Sequence, residues 1–380
     1  MNSEKNNAPI RIVYLIDNLA KGGAQTALIY LVRYLSKRNY KQRIYSLNND
    51  VHPDNRKALI ECGAEVKVIG KMQLIVAIGL IRLFYDWIGW KPTIVFTMLF
   101  YSDVIGRLIA KFIQCPIIIS SIRAKNIYKN ELHFYFDRFT AQWADKVVFN
   151  SRQVVPFAIE HEGIKENQVV YIPNGVNTTD NYSKLNRFEK CKELGISKDT
   201  LIIGSIGRLN SQKGFFYLLQ SIQIIQKQFH KYLVLIIGAG HLLEELKSLA
   251  KELNISDKVM FLGERSDIFE LLSCMDVYTQ PSLFEGMPNV VMEAMAVGKP
   301  VVATSVDGIL ELIEEGKTGW LVEPKNSKML ADKINYVLNH PELAEKVGVA
   351  GAKHIAINFS LEKMGHSYDR LFRGLIAEKL

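Results

Sequence analysis

The chain has 380 residues, 48% hydrophobic and 23% charged, with 25 Gly and 11 Pro. That length suits about two domains, each with a core of its own, and the near-average composition excludes collagen-like, disordered and small disulfide-stapled classes. The formal net charge of +8 lies wholly in the first half: residues 1–180 hold 23 Lys and Arg against 15 Asp and Glu, while residues 181–380 hold 24 of each. A basic first half suits an anionic partner such as a phospholipid surface, a pyrophosphate-bearing substrate or nucleic acid; a solvated basic surface is the plain alternative. Met1 to Pro9 are polar and lead straight into an apolar run, which reads as no signal peptide. Cys62, Cys115, Cys191 and Cys274 lie far apart, with no Cys-x-x-Cys pair, and are expected to be reduced structural thiols in a cytoplasmic protein.

Short apolar runs alternate with longer segments of helical period. Arg11–Ile16 reads as a buried strand and Gly23–Ser36 as an amphipathic helix, followed by strands near Arg43–Leu47, Glu65–Ile69, Thr93–Thr97, Pro116–Ser120 and Lys146–Phe149. Between Lys71 and Lys91 only Arg82 and Asp86 are charged. Mid-segment charge argues against a membrane span. Two readings stay open: a helix lying in a lipid interface, or a crossover helix packed on the sheet. The rhythm pauses at Ile172-Pro173-Asn174-Gly175 and through Asn181-Tyr182-Ser183-Lys184, a domain boundary. It restarts with strand 201–206, helix 215–228, strand 232–237, helix 242–253 and strands 258–261, 276–280 and 300–303. The expected class is α/β: two doubly wound domains, residues 1–180 and 181–360, with a cleft between them as the site.

Four places suit a phosphate-bearing ligand. Gly207-Arg208-Leu209-Asn210-Ser211-Gln212-Lys213-Gly214 follows an apolar strand. Its guanidinium can fork onto two oxygens, and its ammonium adds a mobile charge. Ser282-Leu283-Phe284-Glu285-Gly286-Met287-Pro288-Asn289 runs into a helix whose N–H groups and dipole favour an anion. Glu285 and Glu293 are then placed to hold opposite ends of a polyhydroxylated ligand. Ile237-Gly238-Ala239-Gly240-His241 and Lys21-Gly22-Gly23-Ala24 are glycine turns after strands, each also explicable by packing. No Asp-x-Asp metal clamp occurs, Gly316-Lys317-Thr318 lacks the glycine of a phosphate loop, and there is neither a Gly-x-Ser-x-Gly elbow nor a His-Glu-x-x-His.

Together with Phe261-Leu262-Gly263 and Gly298-Lys299-Pro300-Val301-Val302-Ala303-Thr304, these features resemble the family 4 retaining glycosyltransferases of bacterial surface-polysaccharide synthesis. Gly22-Gly23-Ala24, Asn150-Ser151 and Ile172-Pro173-Asn174-Gly175-Val176 are weaker family-like features. The resemblance implies the GT-B fold, two Rossmann-like domains facing across a cleft, with the last helix, 361–377, crossing back onto the first domain. It implies an acceptor-binding first domain and a donor-binding second one. Arg208 and Lys213 would neutralise the leaving diphosphate, Glu293 would bind ribose hydroxyls, and Glu285 with the backbone of Gly286, Met287, Pro288 and Asn289 would hold the sugar. Gly22, Gly23, Gly207, Gly238, Gly240, Leu262 and Gly263 would border the donor. Many relatives carry a histidine in the first domain after the strand matching 116–120. Ser121-Ile122-Arg123 stands there, so Arg123 is a candidate acceptor or phosphate contact.

The expected activity is metal-independent, cofactor-free transfer of a hexose or N-acetylhexosamine from a nucleotide sugar, UDP-linked by expectation. The acceptor is expected to be a glycan on a polyprenyl-diphosphate carrier, met at an anionic membrane surface on the cytoplasmic side, with no nucleic acid involved. A nucleotide-sugar epimerase, a transferase to a soluble acceptor and a non-enzymatic basic binding module are the alternatives.

Overall fold

The computed structural model describes residues 8–70, 78–125, 129–178, 186–226, 228 and 231–380. The chain divides into two compact units, Met1–Gly175 with Leu361–Leu380, and Val176–Ser360. The polar stretch 181–184 and the start of the apolar segment, 71–77, lie outside the described residues.

The first unit is built on seven parallel strands: β1 (Ile10–Ile16), β2 (Tyr40–Ser46), β3 (Glu65–Val68), β4 (Ile94–Met98), β5 (Ile117–Ile122), β6 (Lys146–Phe149) and β7 (Val169–Tyr171). They stand in the order β3-β2-β1-β4-β5-β6-β7. Its helices are α1 (Gly23–Ser36), α2 (Pro53–Glu61), α3 (Ile78–Trp90), α4 (Phe100–Phe112), α5 (Glu131–Ala141) and α6 (Val155–Glu162). Parallel strands joined by crossover helices are buried on both faces, which is why β1 reads as an unbroken apolar run. On one face Leu28, Leu35 and Leu59 of α1 and α2 pack on Ile12, Tyr14 and Phe96. On the other, Leu83 and Trp87 of α3 and Ile109 of α4 pack on Val13, Leu15 and Val95. β2 begins before the expected Arg43 because Gln42, buried, donates to the Val32 carbonyl (3.0 Å) and accepts from the Tyr14 hydroxyl (3.0 Å). A polar residue so satisfied disguises the strand.

The second unit repeats the plan with β8 (Leu201–Ile206), β9 (Tyr232–Ile237), β10 (Val259–Gly263), β11 (Val277–Gln280), β12 (Val301–Thr304) and β13 (Trp320–Val322), ordered β10-β9-β8-β11-β12-β13. Its helices are α7 (Arg187–Glu193), α8 (Phe215–Ile225), α9 (Leu243–Glu252), α10 (Ile268–Cys274), α11 (Asn289–Ala296), α12 (Ile309–Leu312), α13 (Ser327–Asn339) and α14 (Pro341–Asn358). Leu218 and Ile222 of α8 cover one face of the sheet, and Val291, Met292 and Met295 of α11 cover the other.

The last helix, α15 (Leu361–Lys379), belongs to the first unit. Met364, Tyr368, Phe372 and Leu375 join the core formed by α1 and β4, and burying each contributes about 1.5–3 kcal/mol. Close approach to α1 depends on Gly365, where a Cβ would lie 2.2 Å from the Tyr34 ring. The Tyr40 hydroxyl donates to Asp369 at 2.5 Å.

Candidate functional site

In the second unit the strand order reverses between β8 and β11, and the carboxyl ends beside such a switch form the ligand crevice of open α/β sheets. The loop after β8 runs from Gly207 to Gly214. Gly214 sits at φ +66, and a Cβ there would lie 2.0 Å from the Pro281 carbonyl oxygen, so only glycine lets this loop press on the one after β11. Gln212 ties the two loops: its carbonyl accepts from the Leu283 N–H (2.8 Å), and its Nε2 donates to the Phe284 carbonyl (3.0 Å).

That juncture brings Lys213 to Glu285. Lys213 Nζ donates to Glu285 Oε1 at 2.5 Å, and Ser282 Oγ donates to the same oxygen at 2.7 Å, with Gln280 Nε2 behind at 3.5 Å. All three contacts fall on Oε1 of a buried carboxylate. The Glu285 N–H donates to Asp307 Oδ2 (3.1 Å), which anchors the loop to the turn after β12. Gln280 and Asp307 were not apparent as site residues from sequence, because polar residues at buried strand ends and turns carry no periodic signal. Arg208, five residues before Lys213, is exposed, and its side chain has no hydrogen bond or ion pair among the described residues.

Beyond Gly286, Met287 and Pro288, all buried, α11 starts with Pro288 as its cap, a residue whose side chain makes no capping hydrogen bond. Asn289 is its first residue. Glu293, in the middle of α11, is partly buried, and its carboxyl has no hydrogen bond or ion pair among the described residues. Burial pushes its carboxyl up to about 7.

Gly238 and Gly240 stand beside the same loop. A Cβ on Gly238 would lie 2.0 Å from the Gly207 carbonyl oxygen, and one on Gly240 2.3 Å from that of Leu209. Their smallness therefore serves backbone-on-backbone packing, with the Leu209 N–H donating to the Ala239 carbonyl at 2.9 Å. The Gly263 carbonyl accepts from the Gly238 N–H (2.8 Å), so Leu262 and Gly263 end β10 next to this turn. The sequence candidates of the second half thus gather at the carboxyl ends of β8 to β11. Among the described residues no three His, Cys, Asp or Glu side chains cluster as metal ligands would.

In the first unit Gly22 caps α1 with extended backbone and leaves room for Gln25, whose Nε2 donates to Asn18 Oδ1 at 2.8 Å. Gly23 begins the helix. Arg123 follows β5, and its Nη1 is buried without a partner, as are Ser121 Oγ and the Asn150 side-chain oxygen. The pairing of Ile122 with Phe149 sets Arg123 and Asn150 at neighbouring strand ends.

Two family models match the chain, Glycosyltransferase Family 4 over residues 21–180 and Glycosyl transferases group 1 over residues 186–354. The chain belongs to the family 4 glycosyltransferases. This glycosyltransferase is 26% identical over 301 residues to the capsular polysaccharide biosynthesis glycosyltransferase CapM of Staphylococcus aureus, covering 76% of this chain and 78% of CapM. It is 25% identical over 248 residues to the Escherichia coli UDP-Gal:alpha-D-GlcNAc-diphosphoundecaprenol alpha-1,3-galactosyltransferase, covering 61% and 63%. Among its curated relatives the matched stretch spans from just under half of the relative's length (46%) to 78%. The Anabaena protein Alr3699/HepE, solved in complex with UDP and glucose, aligns with a TM-score of 0.85 at 19% identity over 96% of this chain and 100% of that one. The shared fold is GT-B.

Proposed function

We propose that this glycosyltransferase moves a hexose or N-acetylhexosamine from a UDP-sugar to a lipid-linked glycan, with retention of anomeric configuration, in surface-polysaccharide synthesis. The observation that carries the reading is the Lys213–Glu285 pair on the loops that lead into α11, with the Arg208 guanidinium exposed on the same loop as Lys213. An ammonium has three donors. One is committed to Glu285, and the others are available to a diphosphate. As the bond from the anomeric carbon to the diphosphate breaks, charge builds on the phosphate oxygens, and preplaced cations with a helix dipole stabilise it. The sequence offers no Asp-x-Asp clamp, so the reading gives that task to Arg208 and Lys213 and requires neither metal nor cofactor.

Oε1 of Glu285 receives Lys213 and Ser282, which leaves Oε2 for a sugar hydroxyl together with the Gly286–Asn289 backbone. Glu293 accepts from the ribose hydroxyls, and Leu262, Gly263, Gly238 and Gly240 border the nucleotide. Same-face attack completes the transfer, the leaving phosphate taking the acceptor's proton. The first unit takes the acceptor, with Arg123, Ser121 and Asn150 supplying unmatched polar atoms at the strand ends. The carrier is a polyprenyl diphosphate, a reading supported by the acceptor in the name of the Escherichia coli relative and by the basic first half. The reaction then belongs at the cytoplasmic face of the membrane.

A thermal-shift panel of UDP, GDP, UDP-glucose and UDP-N-acetylglucosamine tests the donor. UDP and at least one UDP-sugar are expected to raise the melting temperature, since a ligand at a hundred times its Kd stabilises by about 2.7 kcal/mol. Absence of any shift would contradict the donor site, and a response to GDP alone would overturn the base. Formation of an epimer from a UDP-sugar without acceptor would favour the epimerase reading instead.

A further inference from the structure

The two helical layers of the first unit present different outer surfaces. On α1, α2 and α15, Ile60 is the one large apolar side chain left exposed among the described residues. The layer of α3, α4 and α5 leaves many, among them Ile81, Tyr85 and Ile88 on α3, Phe112 on α4, and Tyr135 and Phe139 on α5. Tyr85 and Phe112 are 68% and 72% exposed. The helix α3 is apolar on two sides: Leu83 and Trp87 fill the core, while Ile81, Tyr85 and Ile88 point away from it. Such a face on a solitary protein is a large apolar patch that calls for a partner.

Charge selects the partner. The acid of α3, Asp86, is held by Lys67 (2.5 Å), the Tyr45 hydroxyl (2.7 Å) and Arg43 (3.2 Å), so it is neutralised on the sheet side. The exposed ionisable residues of the three helices are Arg82, Lys111 and Arg138, against Glu131 alone among the described residues. Aromatic and branched apolar side chains interspersed with cations match a headgroup boundary. Two copies of the chain meeting on this face would set like charges against each other in an isologous contact. No helix among the described residues is long and apolar enough to cross a membrane.

We propose that the outer face of α3, α4 and α5 docks this glycosyltransferase on an anionic phospholipid bilayer. Rings and aliphatic chains would enter the interface, and Arg82, Lys111 and Arg138 would meet phosphate headgroups. The proposal rests on the reading that the acceptor is lipid-linked, and it names the surface that presents the enzyme to it.

Flotation of the full chain with vesicles of phosphatidylglycerol and phosphatidylcholine, against phosphatidylcholine alone, is the test. The chain is expected to float with the anionic vesicles at low salt, and Ile81→Ser/Tyr85→Ser and, separately, Arg82→Glu/Lys111→Glu are each expected to reduce the bound fraction about tenfold. UDP affinity, read on the same preparations, should stay unchanged and certifies that each variant is folded. Variants that float like the parent, or a parent that binds UDP yet ignores the vesicles, would overturn the docking face. So would a parent dimer that the Ile81→Ser/Tyr85→Ser change dissociates, because the face would then be occupied by a second copy. A chain that floats but binds no UDP would instead strike the functional reading and leave the lipid contact standing.

Discussion

Both units end their strands at a strand-order switch, yet they place their charges in opposite ways. In the second unit the Lys213–Glu285 pair sits at the carboxyl edge, beside the start of α11 and the exposed Arg208. In the first unit the charges sink under the sheet. Arg107, 1% exposed, donates to Ser120 (2.7 Å) and Asp137 (3.3 Å) and lies 3.8 Å from Asp103, while Lys129 joins Asp137 and Glu162. Strand alternation sends Ser120 into that network, and Ser121 and Arg123 lie at the edge with unmatched polar atoms. The contrast separates a charge pair on the loops at the strand ends from a network packed beneath the sheet.

The largest expected effect breaks the buried network. Arg107→Ala leaves Asp103 short of its cation in a dry site, and removing one partner of such a cluster destabilises by about 3–5 kcal/mol. Denaturant unfolding should show that loss, with UDP affinity of the folded fraction unaltered. A variant as stable as the parent would mean that Arg107 is not committed to the fold.

A smaller effect sharpens the other side. The Glu293 carboxyl, raised to about 7 by burial, titrates well above the ordinary glutamate value of about 4.3. Between those values the folded state binds more protons than the unfolded one, so stability falls as pH rises through that window and is flat outside it. Asp103, also raised to about 7 by burial, adds a slope of the same sign from the first unit. Glu293→Gln removes only the second unit's share. It should match the parent below about pH 4 and exceed its stability by about 1–3 kcal/mol at pH 8. Equal stability at both pH values would place Glu293 in water.

Much of the second unit's edge was legible in the sequence, because Gly207, Lys213, Gly214 and Glu285 follow apolar runs or precede a helix and so declare themselves as strand-end loops. The network around Arg107 was not. A charged residue at helical spacing looks the same solvated or buried, and what buries Arg107 comes from Ser120 and Asp137, 13 and 30 residues away. β7 and β13 are three residues each, too short to show a period. The segment 71–91 read equally well as a lipid-facing or a core helix. Its described part buries Leu83 and Trp87 and exposes Ile81 and Tyr85, so neither face could be assigned from hydrophobicity alone.

The most direct test of the charge placement is calorimetric titration of UDP and of uridine into the parent and into Arg208→Ala/Lys213→Ala. If these cations hold the diphosphate, the parent should prefer UDP over uridine by at least about a hundredfold, some 3 kcal/mol for two charge-assisted contacts, and the double variant should lose most of that preference while still binding uridine. An unchanged UDP-to-uridine ratio in the double variant would contradict the account.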